Sequence, residues 1–125
     1  MKNIVQGDSI SFNRKVLERK QAEILILNHK HGKDRLKQRD SGLNHILCRI
    51  AKENNITLAI DLNELVKEGD KKTKAEILGR IIQNIKLIKK YKNRFKLVNY
   101  RNKEQAFSFL ITLGMPTNQA REATI

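Results

Sequence analysis

Cysteine, proline and tryptophan are nearly absent from this chain of 125 residues, which holds one cysteine, one proline and no tryptophan. The single cysteine, Cys48, excludes an intrachain disulfide and a zinc site built on CxxC pairs. No segment approaches the roughly 18 apolar residues of a membrane span, and the first residues, MKNIVQGD, lack the apolar region of a secretory signal. We therefore predict one cytoplasmic domain over residues 1–125.

Aromatic and acidic residues are also scarce. The aromatics are four Phe and two Tyr, and no apparent strand carries the aromatic pairs on which RNA-binding sheets stack bases. Against 13 Asp and Glu stand 26 Lys and Arg, so the net charge is +13. Such an excess is typical of nucleic-acid-binding proteins, and recognition should then rest on the phosphate backbone and on shape. A membrane surface fits less well, because no basic helix carries Trp on its other face.

Catalytic motifs are missing as well. The sequence contains no P-loop, GxSxG or GxGxxG pattern. Cys48 lies inside a predicted helix without an evident general base, which favours a core residue over a nucleophile. Asp61 and Glu64 are one helical turn apart, a spacing typical of the start of a helix.

Four short apolar runs predict strands, and because they do not alternate with polar residues they indicate strands covered on both faces. The runs are NIVQG (3–7), EILIL (23–27), ITLAIDL (56–62) and FKLVN (95–99).

Helical patterns lie between and after these runs. The apolar spacing predicts helices over residues 13–20, 41–54 and 72–92, a helix from Lys103 that stops at Gly114, and a short helix N-capped by Thr117. Alternating strands and helices predict an α/β fold with a parallel sheet, and four strands make only part of a (β/α) barrel.

The segment 28–39 is the first candidate site, with five basic residues and Asp34 as its one acid. Such a segment suits phosphate oxygens, and the helix predicted to open at Ser41 and Gly42 would add free N–H groups as an anion site. The alternative is a solvated basic loop followed by an ordinary Ser41 N-cap. The basic residues are Lys30, Lys33, Arg35, Lys37 and Arg39.

A second basic run follows residue 85, with no acid between residues 81 and 100. It is either a second surface for RNA or a partner, or the solvated outer face of an amphipathic helix. Its members are Lys86, Lys89, Lys90, Lys92, Arg94 and Lys96.

The spacing His29-x-His31 raises a competing hypothesis from another class. Two imidazoles after a parallel strand can bind one metal, with Asp61 as a further ligand, in a metal-dependent phosphoesterase. His45 is expected beside the core, and the neighbouring lysines oppose a divalent cation. The ligand set is thin, so we predict no metal site.

Three stretches carry a family resemblance: GDSISFNRKVLERKQAEIL (7–25), RDSGLNHILCRIAKENNITLAIDLNELV (39–66) and KAEILGRIIQNIKLIKKYK (74–92). They closely resemble ribonuclease P protein component 3 of archaea, over nearly the whole chain. The segment NHKHGKDRLKQ is longer and more basic than its counterpart in that family.

The resemblance implies a TIM-like (β/α) barrel fold and a subunit of ribonuclease P that is not itself catalytic. In that family the RNA, with bound Mg²⁺, removes the 5′ leader of precursor tRNA, and the protein pairs with component 2. The family's Asn-Arg pair falls on Asn13 and Arg14, and its basic-Asp-Ser-Gly element on residues 39–42, which include Arg39 and Asp40. The chain itself is expected to bind no cofactor.

The resemblance also implies that the chain lacks earlier strand-helix units of the family. The open edges would then be covered by a second copy, a separately encoded N-terminal half or component 2. The residues that we expect to contact RNA are Arg14, Lys15, Lys30, Lys33, Arg35, Lys37, Arg39, Ser41 and Gly42.

Overall fold

Short strands alternate with helices along residues 3–30 and 41–125, the part of the chain that the computed structural model describes. The strands are β1 (Ile4–Gln6), β2 (Ile24–Leu27), β3 (Thr57–Asp61) and β4 (Phe95–Val98). The helices are α1 (Ile10–Glu18), α2 (His45–Glu53), α3 (Asn63–Val66), α4 (Lys71–Tyr91), α5 (Lys103–Thr112) and α6 (Thr117–Ala123).

The four strands form one parallel sheet in the order β1-β2-β3-β4. In this register Leu25 lies opposite Leu58, and Leu58 lies opposite Phe95. Right-handed crossovers between successive neighbours place the connecting helices on one face of a sheet. The predicted α/β class with about four parallel strands is confirmed, and the sheet is an open one that matches part of a TIM-like barrel.

The hydrophobic core lies on one face of this sheet. Alternate strand residues such as Leu25, Leu58 and Leu97 are buried and pack in one cluster with helix residues such as Leu47 and Ile81. This packing excludes apolar surface from water, the main favourable contribution to folding.

The opposite face of the sheet is only partly covered within the described residues. Ile24 and Ile26 point to that face and are half-buried, while Ile4 is 56% exposed. Our prediction of strands covered on both faces is therefore wrong for this part of the chain, and the register also places the polar residues Gln6, Thr57 and Lys96 on the open face.

Two predicted helix starts are wrong. Helix α1 begins at Ile10, three residues early, because the Ser9 side chain accepts a hydrogen bond from Phe12 N and caps it. Helix α2 begins at His45 instead of Ser41, and the Asn44 side chain caps it by accepting from Leu47 N at 2.9 Å.

On α2, Ile46 is 39% exposed, and the buried side consists of Leu47, Cys48 and Ala51, next to the buried Leu43 that precedes the helix.

Helix α4 agrees with its prediction within one residue, and Asp70 is its N-cap. The short helix α3 was not predicted, and Thr117 is the first residue of α6, while Pro116 occupies the N-cap position. Within the described ranges, no helix has both the length and the apolarity that crossing a bilayer requires.

Candidate nucleic-acid interface

His29 fixes the start of the basic segment at the carboxyl end of β2. The residue is fully buried; its backbone N–H donates to Glu64 Oε2 at 2.9 Å, and its Nδ1 lies 3.0 Å from Glu64 Oε1. On the other side of the ring, Asn84 Nδ2 lies 2.8 Å from Nε2. An amide nitrogen only donates, so Nε2 accepts and Nδ1 carries the proton that it shares with Glu64.

Arg80 and Lys30 hold the backbone just beyond the ring. The Arg80 side chain is 3% exposed, and its Nη1 donates to the carbonyl oxygen of His29 at 2.7 Å. Lys30 Nζ forms an ion pair with Glu68 Oε2 at 3.2 Å, and Lys30 N donates to Asn28 Oδ1. Because Arg80 and Lys30 are engaged in these contacts, neither side chain is fully available to bind an external anion.

Asn84 of α4 joins the two ends of the basic segment. Its Nδ2 donates to the carbonyl oxygen of Ser41 at 3.0 Å as well as to the ring of His29. The Oδ1 of the same amide is buried, and within the described residues it has no hydrogen-bond partner. The two acceptors therefore set the orientation of the amide, and one buried side chain links residue 29 to residue 41.

Asn13 holds the far end of the segment against the turn after β1. Its Nδ2 donates to the carbonyl oxygen of Gly42 at 2.8 Å, and its Oδ1 accepts from Asp8 N at 2.9 Å. Gly42 has φ +75°, and a Cβ there would lie 3.1 Å from Asn13 Nδ2. Glycine is thus favoured at residue 42 both by its backbone conformation and by the close approach of this amide.

Ser41 and Gly42 do not open a helix, which corrects the predicted anion site. Ser41 is 1% exposed, its Oγ accepts from Gln83 Nε2 at 3.0 Å, and its carbonyl oxygen accepts from Asn84. Both residues anchor the segment, and the free N–H groups of α2 begin after Asn44. A role for Ser41 and Gly42 in binding RNA directly stays a prediction.

The remaining residues that we expect to contact RNA form two groups. Arg14 and Lys15 are exposed on α1, where Arg14 Nε pairs with Glu18 Oε1 at 2.6 Å. Lys33, Arg35, Lys37 and Arg39, together with His31 and Asp40, fall outside the described residues.

The second basic surface is exposed as predicted for its members Lys86, Lys89, Lys90, Lys92 and Arg94, while Lys96 is half-buried on β4. The first four lie on the outer side and at the C-terminal end of α4. We find no ion pair that involves any of these cations among residues 3–30 and 41–125.

The competing metal site loses its main ligand, because both ring nitrogens of His29 are hydrogen-bonded. Asp61 Oδ1 accepts from Asn63 N and from Asn99 Nδ2, each at 2.9 Å. His45 is exposed on the first turn of α2, so its predicted place beside the core is wrong. The part of the chain that the structure describes contains no group of three His, Cys, Asp or Glu side chains suited to a metal ion.

Cys48 is buried in α2, and burial raises the pKa of its thiol to about 12. The thiol therefore stays protonated at neutral pH, and it acts as a small core residue as predicted.

Glu64, Arg80 and Asn84 were not identified from the sequence. Glu64 appeared only as a helix-start acid, and Arg80 and Asn84 lie in a helix whose many basic residues made one more polar side chain inconspicuous. The positions of Arg80 and Asn84 could have identified them, because both lie on the buried side of α4 with the apolar residues Ile77, Ile81 and Ile85.

No protein-family model matches this chain. It is 33% identical over 88 residues to ribonuclease P protein component 3 of Methanococcus maripaludis (strain C5), which covers 70% of this chain and 35% of the relative. It is 30% identical over 87 residues to ribonuclease P protein component 3 of Methanococcus vannielii, with the same two coverages.

Among solved structures, the fold is similar to that of a chain in the cryo-EM structure of archaeal ribonuclease P with mature tRNA. The TM-score is 0.73 at 22% identity, over 96% of this chain and 52% of that one. The present chain thus spans about a third of the curated relatives and about half of the matched structure. The resemblance to archaeal ribonuclease P protein component 3 that the sequence indicated is confirmed.

Proposed function

We propose that this chain is a protein subunit of ribonuclease P that binds and stabilises the RNA component. The similarity to component 3 over 70% of the chain supports this proposal, as does the net charge of +13. In this proposal the chain supplies no catalytic group, and the RNA with its bound Mg²⁺ removes the 5′ leader of precursor tRNA.

The observation that carries the proposal is the double anchoring of the basic segment. Asn84 contacts both His29 and Ser41, so the residues that flank the segment are held by buried hydrogen bonds. Buried hydrogen bonds contribute about 1 kcal/mol each, and leaving their partners unpaired costs more. A fold that fixes both ends of a strongly basic segment in this way limits where its cations can reach a polyanion.

The proposed partners follow from the same similarity. They are the ribonuclease P RNA, precursor tRNA within the holoenzyme, protein component 2 and other ribonuclease P proteins.

We further propose that additional β/α units cover the open face of the sheet. That face carries Ile4, Ile24 and Ile26, which are exposed or half-buried, and a closed barrel of this type needs about eight strands. A second copy of the chain, a separately encoded N-terminal half or component 2 are the candidates.

Cleavage of precursor tRNA by ribonuclease P RNA of Methanococcus maripaludis tests the proposal, measured against Mg²⁺ concentration with and without the chain. We expect the chain to lower the Mg²⁺ concentration needed for cleavage, because its cations screen the phosphates of the folded RNA. The triple variant Lys33→Ala/Arg35→Ala/Arg39→Ala should lose the effect. The control Lys71→Ala/Lys72→Ala/Lys103→Ala removes the same charge from exposed positions on α4 and α5 and should keep it.

Two further results would contradict the proposal: an unchanged Mg²⁺ requirement, or cleavage by the chain without RNA. His31→Ala separates the phosphoesterase hypothesis, since loss of activity in that variant alone would favour a metal site. Substituting His29 does not separate the two hypotheses, because it also breaks the contacts with Glu64 and Asn84.

A further inference from the structure

A groove lies between α2 and α4 on the helix-covered side of the molecule. Its upper part, next to Leu43 and His45, has a volume of about 330 Å³, and its lower part, next to Arg49 and Tyr91, about 300 Å³. Lys90 lines both parts, and the two adjacent hollows together are called here the α2–α4 groove. The cationic side chains that line it are Arg49, Lys52, Lys86, Lys90 and Lys92.

The charge in this groove is concentrated and poorly balanced. Among the described residues that line it, Glu53 is the one acidic residue. Among residues 3–30 and 41–125 we find no ion pair formed by Arg49, Lys52 or Lys90. Like charges held close together repel one another, and a bound anion would relieve that repulsion.

Tyr91 brings three of these cations together. The guanidinium carbon of Arg49 lies 5.8 Å from the centroid of its ring, and Lys90 Nζ lies 5.6 Å from the same centroid. Lys52 Nζ donates to the carbonyl oxygen of Tyr91 at 3.2 Å. The ring thus contacts one cation from each helix, and cation–π attraction contributes about 0.5–1 kcal/mol per contact at an exposed site.

We propose that the α2–α4 groove binds at least two phosphates of a folded RNA backbone, mainly through Arg49 and Lys90. Arg49 offers a planar fork for phosphate oxygens and Lys90 a point charge. The inference rests on the proposed function, since it locates an RNA contact that the similarity to component 3 does not specify. Arg49 and Lys52 lie on α2, so the second basic surface extends from α4 to its neighbouring helix.

The test measures how salt changes the affinity for labelled ribonuclease P RNA of Methanococcus maripaludis, by fluorescence anisotropy. Losing two phosphate contacts in Arg49→Gln/Lys90→Gln should reduce the slope of log K against log salt by about 1.4–1.8. If affinities converge at 1 M salt, that slope corresponds to binding about 25- to 60-fold weaker at 0.1 M.

The matched control is Lys103→Gln/Arg121→Gln, which removes one Lys and one Arg from exposed positions on α5 and α6. Its slope should stay close to that of the wild type. Equal slopes for the two double variants would contradict phosphate binding by the groove. A wild-type slope in Arg49→Gln/Lys90→Gln would contradict it as well. A wild type that binds no RNA refutes the proposed function as well, so the two failures are distinguishable.

Acetylation of lysines in the unaltered protein gives a second measurement that is independent of folding defects. Bound RNA should protect Lys86, Lys90 and Lys92, while Lys71 and Lys72 on the first turn of α4 stay reactive. Polyglutamate serves as competitor: displacement of RNA at equal charge concentration would assign the groove to an acidic polypeptide and overturn the proposal.

Discussion

Asn84 contacts both ends of the basic segment through a single side-chain amide, so the anchoring of that segment depends on it. We expect Asn84→Ala to lower the free energy of unfolding by about 2–4 kcal/mol, since it leaves His29 Nε2 and the carbonyl oxygen of Ser41 without their donor. Urea unfolding followed by circular dichroism measures the change.

The control for this substitution is Gln105→Ala, which removes an exposed amide side chain on α5. It should change the free energy of unfolding by less than about 0.5 kcal/mol. If both variants unfold at the same urea concentration as the wild type, the network between α4 and the segment contributes nothing to stability.

Single residues in this site differ in how far the sequence could identify them. Asn13 and Gly42 could be located from the family motif, and the structure shows what they do, because one donates to the carbonyl of the other. Glu64, Arg80 and Asn84 could not, since their contacts join residues that are 35 to 55 positions apart. Spacing along one helix carries no information about such pairs.

At the scale of elements, the start of α4 depends on the carboxylate of Asp70. Hydrogen bonds from the side chain and the backbone N–H of Thr73 lower the pKa of Asp70 below its ordinary value of 3.8. A lowered pKa in the folded state means that ionised Asp70 stabilises the fold above the unfolded pKa. This contribution disappears as the pH falls through the lower, folded pKa.

We therefore expect Asp70→Asn to weaken the dependence of the urea midpoint on pH between about pH 5 and pH 2. The amide still caps the helix, so the difference from wild type should be small at the acid end and larger near neutrality. The control Glu104→Gln changes an exposed acid in the first turn of α5. Parallel midpoint curves for wild type and Asp70→Asn would contradict this account.

Element boundaries show where local signals suffice. Residues 72–92 were predicted within one position of α4, because its apolar periodicity is long. The start of α2 was misplaced by four residues, since Ser41, Asn44 and Gly42 all have capping or turn chemistry. Packing against α4 decides between them. The polar groups of Ser41 accept hydrogen bonds from α4, and Asn44 is left to cap the helix.

At the scale of the whole molecule, the two faces of the sheet differ in what covers them. Leu27 is fully buried in the core beneath the helices, whereas its neighbour Ile26 is half-buried on the open face. Side chains alternate between the two faces along a strand, so these adjacent residues allow the two faces to be compared at nearly the same place in the sheet.

Leu27→Thr and Ile26→Thr test the open face directly. Leu27→Thr should lower the free energy of unfolding by about 2–4 kcal/mol, since it removes buried apolar atoms and buries a hydroxyl. Ile26→Thr should cost less than about 1 kcal/mol in a chain whose open face is uncovered, because Ile26 is already partly in water.

Sedimentation velocity then identifies what covers the face. If a second copy covers it, the wild type sediments as a dimer and Ile26→Thr shifts it toward monomer. A monomeric wild type would instead favour a separate β/α half or component 2, and Ile26→Thr should then weaken binding of that partner. Equal destabilisation by the two threonines would mean that Ile26 is as enclosed as Leu27, and the open face would then need no partner.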